Sequence, residues 1–374
     1  MKITDVKTYI AATDRQNWLF VKVITDSGLY GWGEASIEGQ TKAAEQCIQT
    51  LAQRSVIGED PENIEKLWQK MYRHGFWKGG FIYMTAISGI DQALWDILGK
   101  LYNVPVYKLL GGAVRDKILT YTHAFDVEGA RNAVETGFAG VKTGGGKSFE
   151  IYNPIEDTPA LAEKLASMRK ALGPHKLICI DNHGQSSPID AIQKMIAALP
   201  YDIYFFEEPI PPENSLSYKQ IKEAVPLMPL AAGERLFSRF EYREIVQENL
   251  LDIAQPDICH CGGITEIRKI ANMIEPYHIK FAPHNPNGPV ATAASLHVCA
   301  SAQNFNILEF ASGSVYSRDD IYKGINLKPK DGYFELPEGP GLGIDLDEDA
   351  MAKYPYSFKQ YGPRYTPDGA VAGI

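Results

Sequence analysis

The sequence predicts an α/β protein: a parallel barrel of eight strands with helices between them, attached to a smaller α+β unit at the N-terminus. Three observations carry this. Eight short apolar runs, most of them closed by a polar residue, alternate with helical stretches from about residue 117 onward. The polar residues closing the last six runs recur at steps of 26, 27, 23, 27 and 25, each about one strand-and-helix unit, which favours a closed parallel barrel over an open sheet. The first 35 residues instead alternate polar and apolar positions in short strands with turns between them.

The elements follow in order. Val6, Thr8 and Ile10 share one face of a first strand; Leu19, Val21, Val23 and Thr25 share one face of a second, and Asp26-Ser27-Gly28 turns the chain. Over 85–101, Ala86, Ile87, Ile90, Ala93, Leu94, Ile97, Leu98 and Leu101 recur at helical spacing. Pro105 ends that pattern, because proline lacks the N–H a helix needs. Gly111-Gly112 closes a first unit, 1–115, of α+β type. The runs Ile118–Tyr121, Phe138–Lys142, Leu177–Asp181, Ile203–Glu207, Leu230–Glu234, Ile253–Asp257, Ile279–His284 and Asn306–Glu309 are the expected barrel strands, within 116–324. The last stretch, 325–374, is rich in glycine and proline without a helical period and is expected to pack back on the first unit.

Composition narrows the function. The 374 residues are 45% hydrophobic and 22% charged, as in ordinary globular proteins. With 37 basic and 46 acidic residues the formal net charge is −9, which argues against nucleic acid and anionic lipid as partners, since both require a basic footprint. No run of 18 apolar residues offers a membrane span, and the opening MKITDVKTYI lacks the apolar core of a signal peptide. Cys47, Cys179, Cys259, Cys261 and Cys299 are odd in number and fit no disulfide framework, so a cytoplasmic location is expected. Cys259-His260-Cys261 has no second ligand pair at zinc-site spacing and is not read as a metal site.

Six successive strands deliver Asp181, Glu207, Glu234, Asp257, His284 and Glu309 to one rim, the C-terminal face where parallel barrels build their active sites. Asp181, Glu207 and Glu234 would converge at the mouth. One such acid alone reads as a cap on the helix that follows. Three on successive strands repel unless they share a cation, and three oxygen ligands with room for water and substrate suit Mg²⁺. Asp257 and His284 end adjacent strands; a carboxylate on one ring nitrogen fixes the tautomer and makes the other nitrogen a general base. His183, two residues past Asp181, is a second acid–base candidate.

These residues resemble the enolase superfamily, in its mandelate racemase-like branch, and most closely the acid-sugar dehydratases of the galactonate type. The similarity runs through nearly the whole chain. It is carried by the opening MKIT, Gly31-Trp32-Gly33-Glu34, Tyr72-Arg73-His74-Gly75-Phe76 with Gly79-Gly80, Ile90-Asp91-Gln92-Ala93-Leu94-Trp95-Asp96, Leu109-Leu110-Gly111-Gly112 and Arg115-Asp116. In the barrel it rests on Phe206-Glu207-Glu208-Pro209, Ala232-Gly233-Glu234-Arg235, Gln255-Pro256-Asp257, Gly262-Gly263-Ile264-Thr265-Glu266 and the loop around His284. The resemblance implies a modified (β/α)₇β TIM-like barrel, an α+β capping domain completed by the C-terminal tail, and assembly as a homo-oligomer. It implies Mg²⁺ on Asp181, Glu207 and Glu234, a His284–Asp257 base, His183 as general acid, and Glu309 hydrogen-bonded to the substrate carboxylate or the enediolate. The implied reaction removes the proton α to a sugar-acid carboxylate and eliminates water to give a 2-keto-3-deoxy acid. An epimerase, racemase or cycloisomerase would use the same enediolate, and a binding protein that has lost catalysis is a third class.

Two features depart from the branch. Relatives with a lysine base carry Lys-x-Lys on the second barrel strand, where this chain has Lys142-Thr143-Gly144; the missing lysine disfavours a racemase with a lysine partner. The first barrel helix is short, since only 14 residues separate His123 from Phe138, and Gly144-Gly145-Gly146 stands beside the site. Both touch the rim that faces substrate. Specificity is expected from Lys142 and from two cap segments, Gln16-Asn17-Trp18 and His74-Gly75-Phe76-Trp77-Lys78, with Trp18, His74, Trp77 and Lys78 as contacts.

Overall fold

The computed structural model describes residues 1–148 and 150–373. The N-terminal unit is an antiparallel sheet of β1 (Ile3–Ala12), β2 (Asn17–Thr25) and β3 (Tyr30–Glu34), in that order, backed by α1 (Thr41–Leu51), α2 (Ile64–His74) and α3 (Phe81–Leu101). Glycine decides how closely α3 lies on the sheet. A Cβ on Gly33 would stand 1.9 Å from the Gly89 carbonyl oxygen, and one on Gly31 would stand 2.1 Å from that of Ala93. Only Gly at these two positions lets helix and strand backbones touch. The short α4 (Val106–Leu109) leads into the barrel.

The barrel strands are β4 (Lys117–His123), β5 (Gly140–Gly144), β6 (Leu177–Asp181), β7 (Phe205–Glu207), β8 (Leu230–Ala232), β9 (Ile253–Ala254), β10 (Lys280–Phe281) and β11 (Leu308–Glu309). All pair in parallel, each with its sequence neighbour, and β11 returns to pair with β4. Phe281 closes the ring by bridging to Phe305, just before β11. Seven helices alternate with them: α5 (Val127–Glu135), α6 (Pro154–Leu172), α7 (Pro188–Ala198), α8 (Tyr218–Ala224), α9 (Tyr242–Gln247), α10 (Gly263–Ile274) and α11 (Pro289–Ser301). This is the (β/α)₇β order the resemblance implies. The ring is filled by Tyr121, Cys179, Phe205, Ala231, Ile253, Ala282 and Ile307. A packed interior confines chemistry to the strand ends. The first barrel helix, α5, has nine residues, as short as the spacing suggested.

Helix α11 is buried on every side, because the cap covers the face a barrel helix usually shows to water. Buried acids make the joint. Glu34 accepts the N–H groups of Gly288 (2.7 Å) and Ala291 (2.9 Å) at the start of α11. Asp91 does the same for Thr265 (2.9 Å) at the start of α10. Asp96 holds Trp32 N–H (2.9 Å) and Leu342 N–H (2.8 Å). Helix N-termini leave N–H groups unpaired, and carboxylates answer both the donors and the dipole.

The tail touches the cap, where Glu348 receives Tyr9 Oη (2.7 Å) and Lys22 Nζ (2.6 Å). It also does what the sequence did not suggest. Residues Tyr333–Glu335 pair antiparallel with the start of β4, and the hairpin of Arg364–Tyr365 and Val371–Ala372 docks on the loop after β5. Among the described residues, no helix is long and apolar enough to cross a membrane.

Candidate active site

The predicted acids and histidines of the barrel meet at its C-terminal mouth. Asp181 and Glu207 are the last residues of β6 and β7. Glu234 stands two residues beyond β8, past a bend at Gly233 (φ +130°) that leaves no room for a Cβ beside the Tyr242 hydroxyl. One carboxylate oxygen from each of Asp181, Glu207 and Glu234 lies within 4.8 Å of the other two. Glu234 Oε2 is buried and makes no hydrogen bond among the described residues. His284 Nε2 stands 3.3 Å from it.

Lys142, on β5, sits among these acids. Its Nζ is 3.0 Å from Asp181, 3.0 Å from Glu207 and 2.6 Å from Glu309. His183 takes a left-handed backbone (φ +48°), donates its N–H to Asp181 Oδ1 (3.0 Å) and brings Nε2 to 3.0 Å from Oδ2. Four strand positions away, and so across the ring, His284 Nδ1 is 2.7 Å from Asp257 Oδ2. Asp257 is held by Asn287 Nδ2 (2.9 and 3.1 Å) and by the Cys259 N–H (2.6 Å). Glu309, fully buried on β11, accepts Asn285 N–H (2.9 Å) and faces His123 Nε2 at 2.5 Å.

Electrostatics follow from crowding. Burial would raise the Asp181 carboxyl, but His183 and Lys142 hold it well below the ordinary range. Burial and the Asp181 charge push Glu207 well up. Burial and Glu208 raise Glu234 to about 7. Burial would lower Lys142, yet Asp181, Glu207 and Glu309 hold its proton firmly. Burial opposes the charge on His284, but Glu234, Glu309 and Asp257 keep it well above the usual imidazole range. Despite burial, Lys142 and His284 keep Glu309 ionised. Three acids so close cannot all ionise on their own, which is why Glu207 and Glu234 are raised; a hard divalent cation between them would let them ionise together.

A cavity of about 730 Å³ opens above these groups. Lys142, Asp181, His183, Glu234, His284 and Glu309 line it; Glu207 and Asp257 lie behind them. The cap contributes Arg15, Gln16, Ile37, Glu38 and Phe81. Lys142 thus lies at the wall, with its ammonium among carboxylates.

The other expected substrate contacts do not reach this cavity. Trp18 is fully buried at the joint, where its ring packs on Gly288 below the His284 loop and against Phe20. Its strand alternation, not its loop, decides its side. Trp77 is 85% exposed and stacks edge-on with Phe76; His74, which ends α2, and Lys78, on the segment after it, are also exposed. Phe81, at the start of α3, reaches the wall in their place. Residues missed in the sequence are His123, His260, Arg15, Glu38 and the Glu208–Arg235 pair, whose Nη2 and Oε2 are 2.6 Å apart. His123 carried a signal: it ends β4 as the other polar residues end their strands. The cap residues carried none.

Comparison with known proteins agrees along the chain. Residues 1–111 match the N-terminal domain of mandelate racemase/muconate lactonizing enzyme, and residues 126–350 match the enolase C-terminal domain-like family. A D-galactonate dehydratase of Ralstonia nicotianae is 41% identical over 359 residues, 93% of each chain. One from Cronobacter sakazakii is 40% identical over 364 residues, 94% of each. Among solved structures, an enolase from Pantoea ananatis with bound D-gluconate and Mg has a TM-score of 0.91 at 30% identity, covering 99% of each chain. An enolase from Agrobacterium radiobacter with sodium and L-malate has a TM-score of 0.90 at 34% identity, covering 100% of each.

Proposed function

This chain belongs to the mandelate racemase/muconate lactonizing enzyme family of the enolase superfamily, and from that premise we propose that it dehydrates an acid sugar of the galactonate type to a 2-keto-3-deoxy acid. The names of the relatives support the substrate class, and the bound D-gluconate of the Pantoea enolase supports a sugar acid in this cavity. The single observation that carries the chemistry is the pair of histidines facing each other across a carboxylate cluster, each with one nitrogen on its own aspartate.

The cluster fits a hard cation. It has three oxygen donors, a Lys142 ammonium that already offsets part of their charge, and a buried Glu234 oxygen without a hydrogen bond. Asp181, Glu207 and Glu234 would hold Mg²⁺, which when bound supplies the positive charge that makes an α-proton removable. Asp257 fixes the His284 ring, and a cation held by Glu234 would offset the charge that keeps Nε2 protonated, so that Nε2 can take the proton from C2. Lys142 holds a second positive charge near the developing enediolate, and Glu309, kept ionised, anchors that ammonium from below. His183 donates a proton to the 3-hydroxyl, because hydroxide is a poor leaving group. The enol then becomes the keto acid.

The test is product NMR and C2 exchange in D₂O with a panel of sugar acids. His284→Asn is expected to abolish both. His183→Asn is expected to spare exchange and stop water loss. Undiminished dehydration by His183→Asn would remove the acid assignment. An epimer in place of a keto acid would favour the second reading, in which the two facing histidines act on opposite faces of C2.

A further inference from the structure

We propose that His260 is a specificity-determining residue that hydrogen-bonds a substrate hydroxyl beyond C3, in an orientation set by Thr85 of the cap. The proposal rests on the dehydratase reading and adds which part of the sugar acid is recognised.

His260 sits in the turn after β9. Its N–H and that of Cys261 both return to the Asp257 carbonyl, at 3.0 and 2.8 Å, which makes the turn tight. Cys259 and Cys261 on either side are fully buried, while the His260 ring comes to the cavity wall. In sequence this triplet has no role as a metal site; the fold uses its two sulfurs for packing and its imidazole for the cavity.

Thr85, in α3 and fully buried, places its Oγ1 2.8 Å from His260 Nδ1. No other hydrogen bond of that hydroxyl is found among the described residues. A buried hydroxyl needs an acceptor, so its proton goes to Nδ1, and the ring proton then sits on Nε2. Burial holds the ring below the usual imidazole range, although Asp257 pulls the other way, so the ring is neutral. Nε2 is 3.9 Å from Asp257 Oδ2, too long for a hydrogen bond. That carboxylate is already occupied by His284, Asn287 and the Cys259 N–H. The ring lines the cavity and, among the described residues, no side-chain acceptor stands within hydrogen-bond distance of Nε2, so its N–H is left for a ligand; the reaction described above gives it no task.

Position identifies the ligand group. The substrate carboxylate belongs at Asp181, Glu207 and Glu234, and C2 belongs at His284. The rest of the sugar chain extends past His284 toward the cap, whose Ile37, Glu38 and Phe81 line the same cavity. His260, tied to the cap helix, is the neutral donor on that stretch. A hydroxyl at C4 or C5 is the group it fits, which selects five- and six-carbon acids over short dihydroxy acids.

The experiment measures kcat/KM for the best sugar acid and for its 4-deoxy and 5-deoxy analogues. His260→Leu is expected to cost about 10- to 100-fold on the full substrate, the scale of a lost hydrogen bond with a buried partner left unpaired. On the analogue lacking the hydroxyl that His260 reads, the loss is expected to stay below about threefold. His260→Gln, which keeps an N–H near Nε2, recovers part of the loss, and Thr85→Val reproduces the pattern more weakly. Equal losses on all three substrates would mean that His260 only supports Asp257, and overturn the proposal; so would no loss at all. C2 exchange by the unmodified protein is read in parallel. Its presence keeps the dehydratase reading standing when the His260 pattern fails, and its absence removes that reading first.

Discussion

Glu34, Asp91 and Asp96 at the joint between cap and barrel are buried as Asp181 and Glu207 are at the mouth, where Glu234 is only partly buried. Their surroundings differ. Each joint acid faces backbone N–H groups: Gly288 and Ala291 for Glu34, Thr265 for Asp91, Trp32 and Leu342 for Asp96, which also holds Lys100 Nζ at 2.6 Å. The mouth acids face one another, with Lys142, His183 and His284 as the only cationic side chains paired to them among the described residues. A buried carboxylate by itself therefore says nothing of function. What matters is whether its charge is answered by fixed dipoles, which hold a structure, or left for an exchangeable cation.

Four experiments can break or sharpen this contrast. The largest effect is expected for Asp181→Asn, which removes a mouth ligand. Turnover should fall by about 10³-fold or more, since a cation supplies several kcal/mol to such a transition state, while circular dichroism stays native. An unfolded variant would erase the distinction between the two sets of acids.

At the joint, Glu34→Ala should do the reverse. Two buried N–H groups at the start of α11 lose their acceptor, so urea denaturation should show a loss of about 2–4 kcal/mol, with C2 chemistry retained in the folded fraction. A loss below 1 kcal/mol would mean that the joint is not held by its acids.

Metal should stabilise through the mouth alone. Mg²⁺ at 100 times its dissociation constant should add about 2.7 kcal/mol, read as a rise in melting temperature that chelator reverses. The rise should vanish in Asp181→Asn and persist in Glu34→Gln. Activity indifferent to chelator would end the metal reading.

The smallest effect concerns pH. His297 is buried in α11, accepts the Tyr107 N–H at 3.2 Å, and is pushed by burial down to about 4. An imidazole that titrates near 6.5 unfolded and near 4 folded binds its proton more readily in the unfolded chain. Its stabilisation is complete above pH 6.5 and is lost as pH falls toward 4, about 2 kcal/mol of it between pH 7 and pH 5. His297→Gln should flatten that part of the urea-midpoint profile; an unchanged slope would assign the acid sensitivity elsewhere.

Much of the mouth was legible because a parallel strand puts its last polar residue at one rim. Leu177–Asp181 is a strand over its predicted length, and Asp181, Glu207, His284 and Glu309 followed from counting units. The count was blind to the bend at Gly233, where β8 ends at Ala232 and a left-handed step carries Glu234 into the cluster. It also stopped β4 short of His123, which ends that strand and faces Glu309.

The cap was legible only as far as local rules reach. Alternation placed β1 and β2, and helical spacing placed α3. It could not say that Trp18 turns to the joint, that Trp77 stands in solvent, or that Phe81 and Arg15 come to the wall. By itself, then, the sequence determined the period of the barrel and the rim where Asp181, Glu207, Glu234, Asp257, His284 and Glu309 meet, because each depends on a strand's own geometry. Only the tertiary structure decided which cap side chains close the cavity and how Thr85 aims His260. Those depend on how the cap docks on the barrel, and no residue spacing within either unit encodes that contact.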